Sequence, residues 1–245
     1  MRRIIKMAVK RFPGMMALLS AQIIVALIAF FISLSVLVII IREIFYDKEF
    51  NMDERVFAYL KNFVTPVNNH IMEFFSLGGS HLFLVPAWIL LIVFYYLKYK
   101  DRWMAIKMPV IALSNLLLMA GLKFFFNRPR PLIPLLKNVP GLSFPSGHAF
   151  MSFIFYGFVI YLVYHQAKNR PIKWLVISLL IVIILLIGLS RVYLRVHYAS
   201  DVIAGYCFGM MSLLIMLWLL RRIEKYNEKV IPAAVNVTKP NAGNN

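Results

Sequence analysis

The sequence predicts an all-α integral membrane protein, a six-transmembrane helix bundle with a short amphipathic helical segment between helices 1 and 2. Three observations predict this fold. Of the 245 residues, 61% are hydrophobic and only 15% are charged, and the mean hydropathy is +0.76, whereas a soluble domain carries about 25% charged residues. Six apolar runs approach or exceed the length that crosses a bilayer. Lysine and arginine collect beside these runs, as they do in membrane proteins.

Net charge and cysteine content narrow the class of protein further. The formal net charge is +17, and a soluble protein this basic would suggest nucleic-acid binding. No stretch interleaves basic and aromatic residues on a water-facing surface. We therefore attribute the charge to loops that face anionic lipid headgroups, and we expect no nucleic-acid partner. The single cysteine, Cys207, lies in an apolar run, where it is expected to pack without forming a disulfide within the chain.

The first predicted membrane helix covers residues 15–41. It follows residues 1–12, which hold five basic residues and no acid, so the chain is expected to enter the membrane from the cytoplasm. The apolar run is longer than a signal-peptide core of about 7–15 residues, so we interpret it as a membrane span. The other five spans are predicted over residues 81–97, 108–126, 149–164, 174–189 and 202–220.

Basic residues between the spans set the predicted topology. Short basic loops follow the second and fourth spans at residues 98–107 and 168–173, and a basic stretch follows the sixth at 221–229. By the positive-inside rule these segments and both termini lie in the cytoplasm. Residues 1–230 are then predicted to form a single domain in the cell (plasma) membrane, and the polar residues 231–245 a disordered cytoplasmic tail.

The segment of residues 42–80, between the first two spans, is polar and carries charges of both signs. Apolar residues recur within it at helical spacing, which predicts a short amphipathic helix. These residues are Val56, Phe57, Leu60, Phe63 and Val64. Two interpretations of the apolar face stand open: it lies on the outer leaflet, or it packs against the bundle.

Unusual polar residues collect at one end of the predicted bundle. The topology places the end of span three, the start of span four, the end of span five and the start of span six on the same, extracytoplasmic side. Three polar stretches occupy these four ends, at residues 123–131, 145–148 and 190–201. Ionisable residues are costly at membrane depth, so their presence predicts a functional site.

The residue types in these stretches suit a phosphate ligand. Lys123, Arg130 and Arg191 supply cations, and the planar guanidinium fork matches phosphate oxygens. Ser146 and Gly147 are predicted at a helix N-terminus, where free N–H groups and the macrodipole attract anions.

A histidine and an aspartate in the third stretch form a second pattern. His197 and Asp201 are spaced i,i+4, so in a helix the carboxylate would accept a hydrogen bond from the imidazole. This arrangement of a histidine and an orienting carboxylate is typical of nucleophilic catalysis.

The three stretches together resemble the signature of the type 2 phosphatidic acid phosphatase superfamily, the lipid phosphate phosphatases. The signature reads KxxxxxxRP, PSGH and SRxxxxxHxxxD. Residues 123–131, 145–148 and 190–201 match it in order and without a departure. The flanking spans match the family only in number and hydrophobicity.

The resemblance implies a role for each residue. His197 is expected to be the nucleophile that forms a phosphohistidine, Asp201 to hold the tautomer of the imidazole, and His148 to protonate the leaving group and then activate water. The residues expected to bind the substrate phosphate are Lys123, Arg130, Ser146, Gly147 and Arg191. No cofactor and no metal is expected, and no carboxylate cluster stands near the motifs to hold a divalent ion.

The expected function is an integral membrane lipid phosphate phosphatase acting at the outer face, and the resemblance points to the bacterial phosphatidylglycerophosphatase type. Its substrate would be phosphatidylglycerophosphate, undecaprenyl pyrophosphate or phosphatidic acid, and the motifs do not choose among these. No obligate protein partner is evident beside the bilayer and the lipid. The alternatives are a soluble phosphate substrate, a vanadate-dependent oxidation, and a lipid phosphate binder or transporter without turnover. Arg128 and Arg195, outside the signature, either bind the headgroup or extend to the membrane interface.

Overall fold

The structure, a computed structural model, describes residues 2–100, 102–132, 134–136 and 141–237, and most of these residues are helical. These residues form eight α-helices and one π-helical turn and contain no strand. The helices are α1 (Arg2–Ile41, continued by the π-helical turn Arg42–Asp47), α2 (Asn51–Lys61), α3 (Pro66–Leu77), α4 (His81–Tyr99), α5 (Arg102–Phe126), α6 (Gly147–Gln166), α7 (Arg170–Tyr193) and α8 (Ala199–Val237).

Six segments of the described chain are long and apolar enough to cross a membrane, which confirms the predicted fold class. They are Ala21–Asp47, Pro66–Lys98, Ile106–Phe126, Gly147–Gln166, Arg170–Tyr193 and Ala199–Ile223. The second of them begins at α3, before the span predicted from residue 81. The helix α8 continues through residues 231–237 of the segment for which we predict a disordered tail, and residues 238–245 lie outside the described residues.

Capping residues in the sequence explain where several helices begin. The hydroxyl of Thr65 accepts a hydrogen bond from the amide of Asn68 at 3.1 Å, and Pro66 fills the first position of α3. The side-chain oxygen of Asn169 accepts from the amide of Ile172 at 3.2 Å at the start of α7. Such caps satisfy amides that have no partner within the helix.

The helix α6 is the centre of the bundle, because it packs against α7 and α8 and also contacts α4 and α5. Its fully buried side chains Phe150, Ile154 and Phe158 belong to the main apolar core. Gly205 of α8 allows a close approach of the two helices: a Cβ there would lie 2.9 Å from the carbonyl oxygen of Ser146, which precedes α6. The start of α6 and the first two turns of α8, which carry two of the three polar stretches, are therefore in close contact.

The segment of residues 42–80 forms two helices, where we predicted one. Apolar residues of α2 pack against buried residues at the end of α7 and the starts of α6 and α8. The α2 residues are Met52, Val56, Phe57 and Leu60, and their buried neighbours are Ala149, Val192, Ala199 and Val202. Of the two interpretations of the apolar face, the structure therefore bears out packing against the bundle. The next helix, α3, packs on α7.

Candidate active site

Backbone hydrogen bonds hold the three polar stretches at the end of the bundle where α5 and α7 end and α6 and α8 begin. The amide of Ser143, two residues before the second stretch, donates to the carbonyl of Arg128 in the first at 2.8 Å, and the amide of Ser146 in the second donates to the carbonyl of Asp201 in the third at 2.9 Å. The predicted convergence of stretches far apart in the chain is therefore present in the fold.

His197 lies at the centre of this end and is 1% exposed. It stands in the loop between α7 and α8, so the expected helical i,i+4 geometry is wrong, because α8 begins only at Ala199. The carboxylate nevertheless faces the ring: Nδ1 is 3.6 Å from Oδ2 of Asp201. On the other side, Nε2 is 3.4 Å from Nη1 of Arg130. The two nitrogens of the imidazole therefore face groups of opposite charge: Nδ1 faces a carboxylate and Nε2 faces a guanidinium.

Burial makes the His197 ring neutral at physiological pH. Desolvation lowers the pKa of His197 to about 4, although the Asp201 carboxylate opposes this effect; the nearby guanidinium of Arg130 lowers the pKa further. A neutral imidazole has one N–H and one free lone pair. Because Asp201 attracts the N–H to Nδ1, the lone pair is assigned to Nε2, on the side of the cations.

Asp201 is fully buried and its carboxylate is crowded with donors. Oδ2 accepts from the hydroxyl of Ser143 at 2.5 Å and from the amide of Tyr198 at 2.9 Å. The second bond caps the first turn of α8, as a side chain at the third helical position does in a capping box. The Nδ1 atom of His197 lies slightly beyond hydrogen-bond distance from Oδ2, and it is 3.4 Å from the hydroxyl oxygen of Ser143, which donates to the same carboxylate.

The three predicted cations line the same end. Arg130 donates through Nη1 to the carbonyl of Val196 at 2.8 Å and through Nε to that of Gly141 at 3.1 Å. Burial lowers its pKa from the ordinary value. The Nζ of Lys123 donates to the carbonyl of Leu142 at 2.6 Å.

The third cation, Arg191, is held by a residue outside the signature. Its guanidinium donates a short hydrogen bond to the hydroxyl of Ser76 on α3. Its Nε is buried and has no partner among the described residues. A buried donor without a partner suits a site that receives an anion.

The PSGH stretch begins α6 as predicted. The hydroxyl of Ser146 caps the helix by accepting from the amide of Ala149 at 3.5 Å. Since the amide of Ser146 donates to Asp201, the groups left for a ligand are the first-turn amides of Gly147 and His148, which have no intrahelical partner. The Lys123 side chain passes 3.7 Å from the Cβ position of Gly147. The half-buried ring of His148 lies within electrostatic range of Arg191, His197 and Arg130.

Several residues of the site were missed from the sequence: Asp53, Ser76, Ser143 and Ser200. Arg128 was noticed, but neither interpretation of it was correct. It is 5% exposed and ion-paired with Asp53 and Asp201, so it neither binds a headgroup nor extends to the interface. Arg195 is partly exposed in the loop between α7 and α8, and both interpretations of it stay predictions.

One sequence signal pointed to Asp53. It lies four residues before Phe57, on the apolar face of α2, and an ionisable side chain on a buried face requires a partner. No comparable pattern marks the three serines.

Comparisons with known proteins agree on one family. The model of the PAP2 superfamily matches residues 104–225. Phosphatidylglycerophosphatase B of Bacillus subtilis (strain 168) is 30% identical over 165 residues, which are 67% of this chain and 81% of that protein. The bacitracin transport permease protein BcrC of Bacillus licheniformis is 32% identical over 101 residues, 37% of this chain and 45% of that protein.

Two solved structures share the fold. The crystal structure of a transmembrane PAP2 type phosphatidylglycerolphosphate phosphatase from Bacillus subtilis has a TM-score of 0.69 at 26% identity, covering 81% of this chain and 96% of that chain. The crystal structure of Aquifex aeolicus LpxE has a TM-score of 0.53 at 28% identity, covering 69% and 96%.

Proposed function

The chain belongs to the PAP2 superfamily and is a multi-pass membrane phosphatase, and from this premise we propose that it hydrolyses a phosphomonoester or pyrophosphate of a membrane lipid through a phosphohistidine. One observation carries the proposal. The neutral ring of His197 directs Nε2 toward Arg130, at 3.4 Å, and Nδ1 toward Asp201. A nucleophile beside a phosphate-binding cation and an orienting carboxylate is what phosphoryl transfer to nitrogen requires.

In the first step, Nε2 of His197 attacks phosphorus while the bond from phosphorus to the lipid oxygen breaks. His148 gives a proton to that oxygen, so the lipid leaves as an alcohol, or as a monophosphate from a pyrophosphate. Asp201 stabilises the positive charge that develops on the attacking imidazole. Lys123, Arg130 and Arg191 stabilise the charge on the equatorial oxygens.

In the second step, His148 accepts a proton from water, and the oxygen attacks the phosphohistidine. The bond between phosphorus and nitrogen breaks, inorganic phosphate leaves, and His197 returns to its neutral form. The amides of Gly147 and His148 at the start of α6 support the phosphate in both steps. Because protein cations supply the charge, we expect turnover to persist in EDTA.

The basic loops support an orientation with both termini in the cytoplasm and the site at the extracytoplasmic face. A lipid would then enter laterally from the outer leaflet, with its phosphate at the level of the cations. A reporter fused after Asn245 should behave as cytoplasmic, and one inserted near Val139 as external; the reverse result would place the site on the other face.

The substrate class is proposed from the relatives and the cationic site together. Phosphatidylglycerophosphate comes first, because the curated relative and the crystal structure from Bacillus subtilis are both named for that activity. Undecaprenyl pyrophosphate and phosphatidic acid carry the same phosphate chemistry on different tails. Initial rates on a panel of these three lipids would rank them.

The decisive experiment measures phosphate release by the purified protein in detergent with EDTA present. Wild type should turn over at least one lipid of the panel, and rapid quenching without acid should trap phosphorylated protein. His197→Ala should abolish both signals. Lipid binding without phosphate release by wild type would instead support a binder or transporter, and full turnover by His197→Ala would exclude this nucleophile.

A further inference from the structure

Arg128 is a buried arginine between two buried aspartates. It is 5% exposed, and Asp53 and Asp201 are 3% and 0% exposed. Nη1 donates to Oδ1 of Asp201 at 2.6 Å and to the hydroxyl of Ser200 at 2.8 Å, and Nη2 donates to Oδ2 of Asp53 at 3.0 Å. The ring of Tyr198 covers the guanidinium, with Cζ 4.0 Å from its centroid. Both terminal nitrogens of the guanidinium therefore donate to groups of the protein.

Asp53 reaches this network from α2, outside the residues that match the family model. Its Oδ1 accepts from the amide of Ser200 at 2.9 Å, and its Oδ2 accepts from the hydroxyl of Ser200 at 2.6 Å. Ser200 precedes Asp201 in the first turn of α8. The helix α2 is thus bonded to the very turn that carries the carboxylate facing His197.

The hydrogen bonds of this network restrict the rotation of the Asp201 carboxylate. The terminal torsion of an aspartate is soft, so a carboxylate group rotates unless both oxygens are held. Arg128 holds Oδ1, and the hydroxyl of Ser143 and the amide of Tyr198 hold Oδ2 on the side of His197. Without Arg128, Oδ1 would lose this bond, and the direction of the carboxylate would rest on the two bonds to Oδ2 alone.

We propose that Arg128 and Asp53 are positioning residues that hold the Asp201 carboxylate, and through it the His197 ring, in line for attack on the phosphate. The inference rests on the proposed function of His197 and Asp201. It assigns α2 a part in catalysis that the signature motifs do not contain. Neither residue contacts the substrate in this proposal.

The energetics favour this role over a purely stabilising one. Desolvating three charged groups costs several kcal/mol per ion, and apolar residues of similar volume often stabilise a fold as well or better. Apolar contacts of Met52, Val56 and Phe57 already attach α2 to the bundle. A charged network in this place therefore adds little to docking, whereas it does fix the orientation of Asp201.

The test compares three variants of the network with two matched controls in the purified full-length protein. The network variants are Asp53→Asn, Arg128→Lys and the milder Ser200→Ala, which removes one hydroxyl. The controls are Glu54→Gln and Arg55→Lys, which make equivalent changes at exposed positions of α2. For each protein we would measure kcat and KM on the lipid that wild type turns over best, and inhibition constants for orthovanadate and inorganic phosphate.

Orthovanadate and phosphate report different features of the site. Vanadate mimics the transition state by bonding to the attacking nitrogen, so its affinity depends on the direction of the imidazole, whereas phosphate needs only the cations. We expect Asp53→Asn and Arg128→Lys to lower kcat about 10–100-fold. Loss of a hydrogen-bond partner that orients a metal-ligating side chain lowers activity by a similar factor in metalloenzymes. The vanadate constant should rise about tenfold, while KM and the phosphate constant stay within about threefold. Both controls should match wild type.

Each outcome either supports or overturns the positioning role of Arg128 and Asp53. Inhibition constants do not depend on the fraction of folded protein, so a network that only stabilises the fold would leave the vanadate constant unchanged and overturn the inference. Parallel loss of vanadate and phosphate affinity would place Arg128 in the phosphate site and also overturn it. If the two charge variants do not fold, a raised vanadate constant in Ser200→Ala supports the inference and an unchanged one refutes it. An inactive wild type would instead refute the proposed function.

Discussion

The low pKa of His197 predicts how the stability of the protein depends on pH. The folded value of about 4 lies below the ordinary 6.5 because the ring is desolvated. Between these two values the unfolded chain binds a proton at this position and the folded protein does not. Stability is therefore fully present above about pH 6.5 and falls as the pH is lowered toward 4.

The gap between the two pKa values sets the size of the effect. It corresponds to about 3 kcal/mol, fully expressed near pH 4. For a chain of this length that free energy is equivalent to a change in thermal midpoint of roughly 6–12 °C. Removing the ionisable ring should remove this part of the pH dependence, whatever the other titrating groups do.

The assay records thermal unfolding of wild type and His197→Asn in the same detergent between pH 4 and 7.5. Groups that do not interact with His197 contribute equally to both proteins and cancel in the difference between the two curves. The variant should be less sensitive to acid, so that its midpoint relative to wild type rises by about 6–12 °C from pH 7 to pH 4. Parallel curves would refute the reasoning, because they would mean that the ring is not desolvated in the fold.

Three further predictions test the surroundings of the site and the bundle. Ser76→Ala removes the oxygen that accepts from Arg191, and initial rates should show a KM raised about 3–10-fold, because a typical hydrogen bond contributes a net free energy of about 0.5–1.5 kcal/mol; an unchanged KM would mean that Ser76 does not position the guanidinium. Gly205→Ala places a Cβ 2.9 Å from a carbonyl oxygen of α6, and the thermal midpoint should fall in keeping with an overpacking cost of about 1–3 kcal/mol; no loss would indicate that the two helices are farther apart. Ser212→Ala breaks the 2.5 Å hydrogen bond to Asn115 between α8 and α5, which should cost about 1 kcal/mol of stability and leave kcat unchanged, since the pair is remote from the site; a loss of kcat would contradict this.

The membrane fold could be predicted because its cause is local. An apolar run long enough to cross a bilayer must become a helix to satisfy its own backbone. Helix ends were less predictable, and α3 shows why. Residues 66–77 carry enough polar groups to read as a surface segment, yet they pack on α7 and form one apolar unit with α4. The packing of α3 on α7 is a tertiary contact, which a local window of sequence does not contain.

The site could be predicted where topology alone brings residues together. Helices that run alternately up and down must place the ends of α5 and α7 on the same side as the starts of α6 and α8, so the three motifs had to lie at one end of the bundle. The serines that complete the site follow no such rule. Ser76 and Ser143 lie 115 and 58 residues from the partners that they contact, and only the packing of α3 and of the loop before α6 determines those pairs.

The burial of Asp53 follows from a local sequence pattern, whereas its partners are determined by the packing of distant segments. Its neighbour Glu54 carries the same charge on the same helix and is exposed, so charge alone does not separate them. The direction of the apolar face does, because Met52, Val56 and Phe57 turn that face toward α8 and carry Asp53 inward with it. Burial then requires a cation, and Arg128 satisfies two carboxylates at once. The apolar pattern of α2 thus determines that Asp53, and not Glu54, contacts the first turn of α8. That turn carries Asp201, whose carboxylate faces the ring of His197.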